Sequence, residues 1–376
     1  MAKISQSQAE KEMAKFFGSD SIFFSGDDVV MDKVLHIKTG SPALDEALGI
    51  GGIPRGRLIQ LAGKESSGKT MLALSCIANY LRENPDNTAM FIDAEFTYDP
   101  DWAASLGVDT KRVMVIKTNE AKKVFNGLIG IPNPNSKVGK KKMLGILDYV
   151  KEGTDPKFKN LGIIVLDSVA VLSTPQEEDS EAGKMNVASL ARFLTTELKK
   201  LTPVLAETNV TFIGINQLRE NIGVMYGPST SSPGGRALKH ACSVMIEMAP
   251  IGGSAIEDDN GTRIGHKVRA SVRKNKVGKP FGKAEYSIEY VKGMVKTSEE
   301  LLDLSVKYNI IERPNNVMYK LGEESFRGRA AMSAKIEEIT SSLEETVRTH
   351  YLDKERIAHA EEDIEEEVNP LLGGFE

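Results

Sequence analysis

Cysteine is almost absent. The 376 residues contain two, Cys76 and Cys242, far apart and each inside an apolar segment. That excludes a disulfide framework and any cysteine-based metal site, and leaves two buried, reduced thiols as the expectation. Long apolar runs are missing as well. No stretch of about 18 apolar residues offers a membrane span, and residues 1–17 (MAKISQSQAEKEMAKFF) lack the apolar centre of a signal peptide. Neither export nor membrane insertion is expected, and a cytoplasmic protein is. There is no internal repeat, and tryptophan occurs once, at Trp102. A basic excess is also lacking: the formal net charge is −5. That number hides an uneven distribution, because residues 351–376 carry nine carboxylates against Lys354 and Arg356, a net of −7, which leaves +2 for residues 1–350. A mildly basic body with an acidic tail does not exclude nucleic acid as a partner.

What the chain does contain is a repeated alternation. Residues 5–17 read as a short amphipathic helix, with Ala9, Met13, Ala14, Phe16 and Phe17 along one stripe. From Leu58 onward, β-branched or aromatic runs at 58–62, 89–93, 113–116, 163–167 and 211–216 alternate with helical patterns, which predicts a mainly parallel sheet covered on both faces. A helix is expected after Asn186 as N-cap, with Val187, Leu190, Ala191, Leu194, Leu198 and Leu201 spaced by three and four, ending before Pro203. Strands at 244–248, 267–272 and 284–290 have no long helices between them and are expected as antiparallel additions to one side of the sheet. A compact mixed segment follows from Thr297, then a helix over 334–349, then the acidic tail. Two stretches read as neither helix nor strand. One is the small-residue run at 227–235. The other, 132–142, carries four lysines and reads as a solvated insertion.

The chemistry is concentrated in residues 63–70, GKESSGKT, which fit G-x-x-x-x-G-K-[ST] between a strand pattern and a helix pattern. That context makes the segment a phosphate-binding loop. Gly63 and Gly68 let the backbone wrap around phosphates, successive amides and the helix N-terminus supply a positive field, Lys69 neutralises the β- and γ-phosphates, and Thr70 holds Mg²⁺. Lys64, Glu65, Ser66 and Ser67 complete the loop. Such a loop needs an acid at the end of a neighbouring strand, and Asp167 after Ile163-Ile164-Val165-Leu166 provides it. Glu95 ends Phe91-Ile92-Asp93-Ala94-Glu95, where its carboxylate faces a water near the γ-phosphate. Gln217 sits at the carboxyl end of another strand, where ligands of such sheets gather. The cofactors expected are ATP and Mg²⁺.

Taken together, the loop at 63–70, the run Phe91–Glu95, then Asp99-Pro100, Leu106-Gly107-Val108-Asp109, Asn216-Gln217-Leu218-Arg219, Ile222–Gly227, Gly234-Gly235, Ala237-Leu238-Lys239 and Arg273-Lys274-Asn275-Lys276 resemble the bacterial RecA recombinases and their phage relatives. The resemblance covers most of residues 5–330. It implies an α/β fold: a RecA-like P-loop ATPase core (38–293) with a mainly parallel central sheet extended by antiparallel strands, an N-terminal helix and oligomerisation segment (1–37), a small C-terminal α/β domain (294–350) and an acidic, disordered tail (351–376). It also implies a DNA-dependent ATPase that forms a helical filament on single-stranded DNA, captures duplex DNA and exchanges strands in recombinational repair, served by single-strand-binding and loading proteins. Residue by residue, the resemblance makes Glu95 the general base, Asp167 the Mg²⁺-side acid and Gln217 the link between ATP and DNA. Trp102 falls to the adenine and Asp99 to the nucleotide, and Lys274 and Lys276 to the ATP of the neighbouring subunit. Residues 5–37 would dock on the next subunit through Phe16, Phe17 and Ile22. The DNA-binding loops would lie at about 174–186, with Met185 as a wedge between bases, and at 218–235, with Arg219, Gly234, Gly235 and Arg236 at phosphates. Arg192 joins this DNA-binding set.

Departures from the family pattern are equally specific. Arg236 replaces an uncharged residue, His240 an aromatic one used in subunit communication, the first loop is acidic and poor in glycine, and the stretch at 130–160 is an insertion. They favour a divergent, phage-encoded type of member and do not imply co-protease activity. Two other readings share the phosphate loop: a ring motor such as a replicative helicase, and a filament protein that binds ATP but hydrolyses it poorly. The intact set of Lys69, Glu95 and Asp167 speaks against the second.

Overall fold

The run at 58–62 is apolar at nearly every position because it becomes a strand buried on both faces, at the centre of a nine-stranded sheet. The computed structural model describes residues 34–132, 142–178, 189–220, 230–231, 236–295 and 297–372; for Pro132, Glu178, Arg219, Glu220, Thr230, Ser231, Arg236 and residues 353–372 it describes the backbone alone. The expected N-terminal helix, the N-cap Asn186 and the lysine-rich segment at 133–141 lie outside these residues.

In chain order the elements begin with α1 (Pro42–Ala47), β1 (Leu58–Gly63), α2 (Lys69–Glu83), β2 (Thr88–Asp93), α3 (Pro100–Ser105), β3 (Val113–Lys117), α4 (Ala121–Ile129), α5 (Ile146–Glu152), β4 (Leu161–Asp167), α6 (Ser189–Thr208) and β5 (Thr211–Gln217). They continue with α7 (Arg236–Ala241), β6 (Val244–Glu257), β7 (Arg263–Asn275), β8 (Lys283–Glu289) and β9 (Gly293–Val295). The sheet order is β9-β8-β7-β6-β1-β5-β4-β2-β3. Side chains alternate between two apolar layers: Phe91, Ile163 and Val165 pack under α2, whereas Met90, Ile92, Ile164 and Leu166 pack under α4, α5 and α6.

Three expectations need correction. The strand at 244–248 does not add antiparallel: β6 pairs with β1 in parallel, Val244 opposite Ile59, and only β7, β8 and β9 run antiparallel to their neighbours. The six-residue α7 supplies the crossover that a parallel joint requires. The helix after Asn186 does not stop before Pro203, because α6 continues to Thr208. Pro203 is exposed, so the carbonyl it leaves unpaired faces water, while Leu201 and Leu205 on either side are fully buried. Finally, the last helix, expected over 334–349, extends from Arg329 to Leu372 with a kink at Ile339. Glutamate and alanine, which favour helix, are the two commonest residues of that helix. The insertion leaves α4 through a two-residue antiparallel stem, Ile131–Pro132 with Lys142–Met143.

The C-terminal part, α8 (Thr297–Lys307), β10 (Met318–Leu321), β11 (Glu324–Arg327) and α9 (Arg329–Leu372), has its own core of Leu301, Leu302, Ile311, Tyr319, Met332 and Ile336. It is joined to the sheet through α1. Glu300 of α8 caps α1, its Oε2 accepting from Ser41 Oγ at 2.5 Å and from the Ala43 amide at 3.1 Å. Glu46 accepts from Lys307 Nζ at 2.6 Å and from the Tyr308 hydroxyl at 2.7 Å. Asp45, buried beside them, accepts from the Thr39 amide at 2.9 Å and from the Thr39 hydroxyl at 2.7 Å. Burial pushes the Asp45 carboxyl up to about 8 and that of Glu300 up to about 7. Both folded values lie above the ordinary 3.8 and 4.5, so the native state holds protons that the unfolded chain releases. Their contribution to stability is complete below about pH 4 and is lost as pH rises through the folded values. Thermal melts are expected to show Tm falling between about pH 5 and pH 8.5, and Asp45→Asn to flatten that slope, with Tm raised by about 2–4 °C at pH 8. An unchanged slope in the variant would rule out Asp45 as its source.

Candidate active site

Four parallel strands, β1, β5, β4 and β2, deliver their carboxyl ends to one edge of the sheet. The phosphate loop follows β1, Gln217 ends β5, Asp167 ends β4, and Glu95 stands two residues beyond β2. The loop's glycines have separate reasons. A Cβ at Gly63 would lie 2.4 Å from the Met248 carbonyl oxygen, so the approach of β6 demands glycine there. Gly68 has φ +83° and begins α2 without a side-chain cap, which leaves the helix's first amides available to an anion.

Lys69 is buried, and its Nζ donates to the Lys64 carbonyl at 2.6 Å, with Ser67 Oγ at 3.5 Å. Burial lowers its pKa against the attraction of Asp167, Glu95 and Glu65. Thr70 Oγ1 donates to Asp167 Oδ2 at 2.7 Å. Burial pushes Asp167 up to about 6, with the Thr70 hydrogen bond and Lys69 opposing the rise and Glu95 adding to it. A hydroxyl and a carboxylate oxygen in contact are hard donors of the kind Mg²⁺ takes. The uncapped amides and buried ammonium beside them fit a polyphosphate. ATP and Mg²⁺ therefore fit these residues: Lys69 and the loop amides would hold the phosphates, Thr70 and Asp167 the metal, and the metal would screen phosphate charge.

Glu95 is fixed by its neighbours. Its amide, with that of Ala94, donates to the Asp167 carbonyl. The turn that follows is tied by Asp93, which accepts from the amides of Thr97 and Tyr98, both at 3.0 Å, around Phe96 at φ +60°. Glu95 Oε1 then accepts from Ser168 Oγ at 2.5 Å and from Gln217 Nε2 at 3.4 Å. Ser168 escapes a motif reading because its role arises across strands, whereas Asp93 acts within the turn that follows it.

Beside the loop lies a cavity of about 260 Å³ lined by Ser66–Met71, Trp102, His266, Ile288 and Tyr290. Asp99 acts here as the N-cap of α3, accepting from the amides of Asp101 and Trp102. Trp102 Nε1 donates to the Tyr290 carbonyl at 2.7 Å and Ser105 Oγ to the Val291 carbonyl at 2.9 Å, which latches α3 to the turn after β8. His266, Ile288 and Tyr290 are absent from the sequence reading of this site.

The residues expected at DNA and at the neighbouring subunit are placed less completely. Met185, Gly234 and Gly235 lie outside the described residues. Arg219 starts a short ladder, Arg219–Glu220 with Thr230–Ser231, at the base of the loop at 218–235; Thr230–Ser231 falls in the run 227–235, expected to be neither helix nor strand. Arg236 is the first residue of α7. Lys274 Nζ donates to the carbonyls of Lys239 at 2.8 Å and His240 at 3.0 Å, at the end of α7. Arg192, Lys199, His240 and Lys276 line a groove of about 710 Å³ between α6 and α7.

The family model described as "RecA N-terminal domain" matches residues 4–129 and 144–295. Protein RecA of Borrelia hermsii is 35% identical over 348 residues, 90% of this chain and 88% of that protein. Protein RecA of Cutibacterium acnes is 34% identical over 372 residues, 98% and 96% of the two chains. The chain belongs to the RecA family. Its fold is accordingly the RecA-like α/β fold with a mostly parallel central sheet, added antiparallel strands and a small C-terminal domain. The break in the RecA match at 130–143 falls on the stem and on the lysine-rich sequence between its two strands. A crystal structure of the RadB recombinase aligns with a TM-score of 0.47 at 19% identity, covering 69% of this chain and 98% of that one. Among the described residues, no helix is long and apolar enough to cross a membrane.

Proposed function

We propose that this RecA-family chain is a DNA-dependent ATPase that polymerises on single-stranded DNA and catalyses homologous pairing and strand exchange. The observation that carries this reading is the position of Gln217. Its side chain touches Glu95, and its backbone leads directly into the segment 218–235 that the family resemblance assigns to DNA. A change at the γ-phosphate that moves Gln217 therefore moves the root of that loop. Lys274 supports a second path, since it holds the end of α7, which follows the same loop. Phosphate contacts by Arg192, Arg219 and Arg236 give binding without sequence preference that weakens with salt.

Self-assembly has its own support. β3 ends the sheet, and between it and α4 lies a cavity of about 410 Å³ whose lining includes Ile92, Phe96, Ile116, Val124 and Leu128. An edge strand beside an apolar groove invites another chain, and the 5–37 segment of a neighbouring copy, with Phe16, Phe17 and Ile22, is the occupant we assign.

The direct test is phosphate release from ATP with and without single-stranded DNA. Wild type is expected to be stimulated at least about tenfold, and Gln217→Ala to keep its basal rate and lose the stimulation. Stimulation that survives the substitution would break the proposed link. Trp102 gives a binding assay, because it is the single tryptophan. ADP should change its emission, Trp102→Ala should weaken ADP by about 3- to 10-fold, and Trp102→Phe should retain most of the affinity if stacking is its contribution. Equal losses in both variants would assign the effect to the latch on Tyr290 instead.

A further inference from the structure

Along β7 the inward positions are Val268, Ala270 and Val272, all fully buried, while Lys267, Arg269 and Arg273 are exposed. His266 continues the inward row at 3% exposure. Both of its ring nitrogens are buried without a hydrogen-bond partner among the described residues. A valine would close this row at no polar cost, so the imidazole is a liability to folding unless something enters to bond it. What it faces is the cavity beside the phosphate loop, where it stands with Ile288, Tyr290 and Trp102 on the wall and packs 5.8 Å from the Tyr290 ring. The other polar groups of that wall are largely committed or absent. The indole N–H of Trp102 is spent on the Tyr290 carbonyl, and Ile288 has none. The ring is held neutral, since burial and the nearby Arg263 both lower its pKa, and it therefore offers one N–H donor and one lone pair.

We propose that His266 is a specificity-determining residue whose imidazole hydrogen-bonds the edge of the adenine base of ATP in this cavity. The assignment rests on the reading of the cavity as a nucleotide site. The 6-amino group of adenine is a donor that the lone pair of a neutral imidazole accepts, whereas the aromatic faces of Trp102 and Tyr290 hold any purine alike. Stacking supplies affinity here and His266 supplies the choice of base.

The test is calorimetric titration of ADP and of purine riboside 5′-diphosphate, which lacks the 6-amino group, with Mg²⁺ present. Wild type is expected to prefer ADP by at least about tenfold, as a site that bonds a substrate group discriminates against the analogue lacking it. His266→Val should weaken ADP by about tenfold, leave the analogue within about twofold, and melt at or above the wild-type temperature. His266→Gln, which keeps a donor and an acceptor, should restore most of the preference and carries the same comparison if the valine variant folds poorly. Equal loss for both nucleotides, or no loss for either, would overturn the assignment. Failure of wild type to bind ADP at all would instead overturn the reading of the cavity on which the assignment rests.

Discussion

Lys69→Ala is expected to lower ATP turnover by about 100- to 1000-fold, with and without single-stranded DNA. The ammonium is the cation that the structure buries against the loop, donating to the Lys64 carbonyl and standing near Asp167, Glu95 and Glu65. Taking a positive charge out of water is costly, and the nearby carboxylates offset part of that cost. An ATP polyphosphate would offset the rest, which is the reason to expect the lysine to matter most when the nucleotide is bound. Lys69 also opposes the rise of the Asp167 pKa. Without it, Asp167 should titrate above about 6, and any residual turnover should fall off at higher pH than in wild type. Phosphate release across pH 5.5–8.5, with circular dichroism to verify the fold, checks both points. Turnover within tenfold of wild type would remove Lys69 from the reaction.

Much of this machinery is legible in the sequence, for a physical reason. A parallel strand buried on both faces must be apolar throughout, so β1, β2, β4 and β5 stand out, and the half-buried edge strand β3 shows by its β-branched residues; the ends of all five differ from the structure by two residues at most. The phosphate loop is legible because its parts are contiguous. Less visible is whatever depends on a distant partner. The parallel pairing of β6 with β1 is set by a six-residue crossover, too short to show helical periodicity. Pro203 reads as a helix end because the propensity rule cannot see that its side of α6 faces water. Asp99 reads as a nucleotide-binding residue, and the sequence reading does not show that its carboxylate also caps α3. The holders of Glu95, namely Ser168 and the Asp93 turn, come together only when β2 and β4 pair. His266 left a trace in the alternation of β7, a polar residue at an inward position, which acquires meaning only once the phosphate loop is known to lie opposite.

Glu95→Gln is expected to uncouple binding from hydrolysis. The amide is nearly the same size as the carboxylate and keeps an oxygen that can accept from Ser168 Oγ, so the turn tied by Asp93 and the backbone bonds to the Asp167 carbonyl should persist. What the substitution removes is a group able to take a proton from water. Loss of a positioned general base costs typically about 10²- to 10⁴-fold. Affinity for ATP should stay within about threefold, because Lys69, Thr70 and the loop amides are untouched. The two losses separate Glu95 from Lys69: Lys69→Ala weakens ATP binding and turnover together, whereas Glu95→Gln should leave ATP bound and unspent. If hydrolysis is what loosens the filament, the Glu95→Gln protein should remain on single-stranded DNA after dilution for far longer than wild type. Gln217→Ala should not reproduce that persistence, since its basal hydrolysis continues. Turnover by Glu95→Gln within a few fold of wild type would mean that another group activates the water. Slow hydrolysis with rapid release from DNA would mean that ATP binding and DNA binding are not coupled through this edge of the sheet, and the contact between Gln217 and Glu95 would then be packing alone.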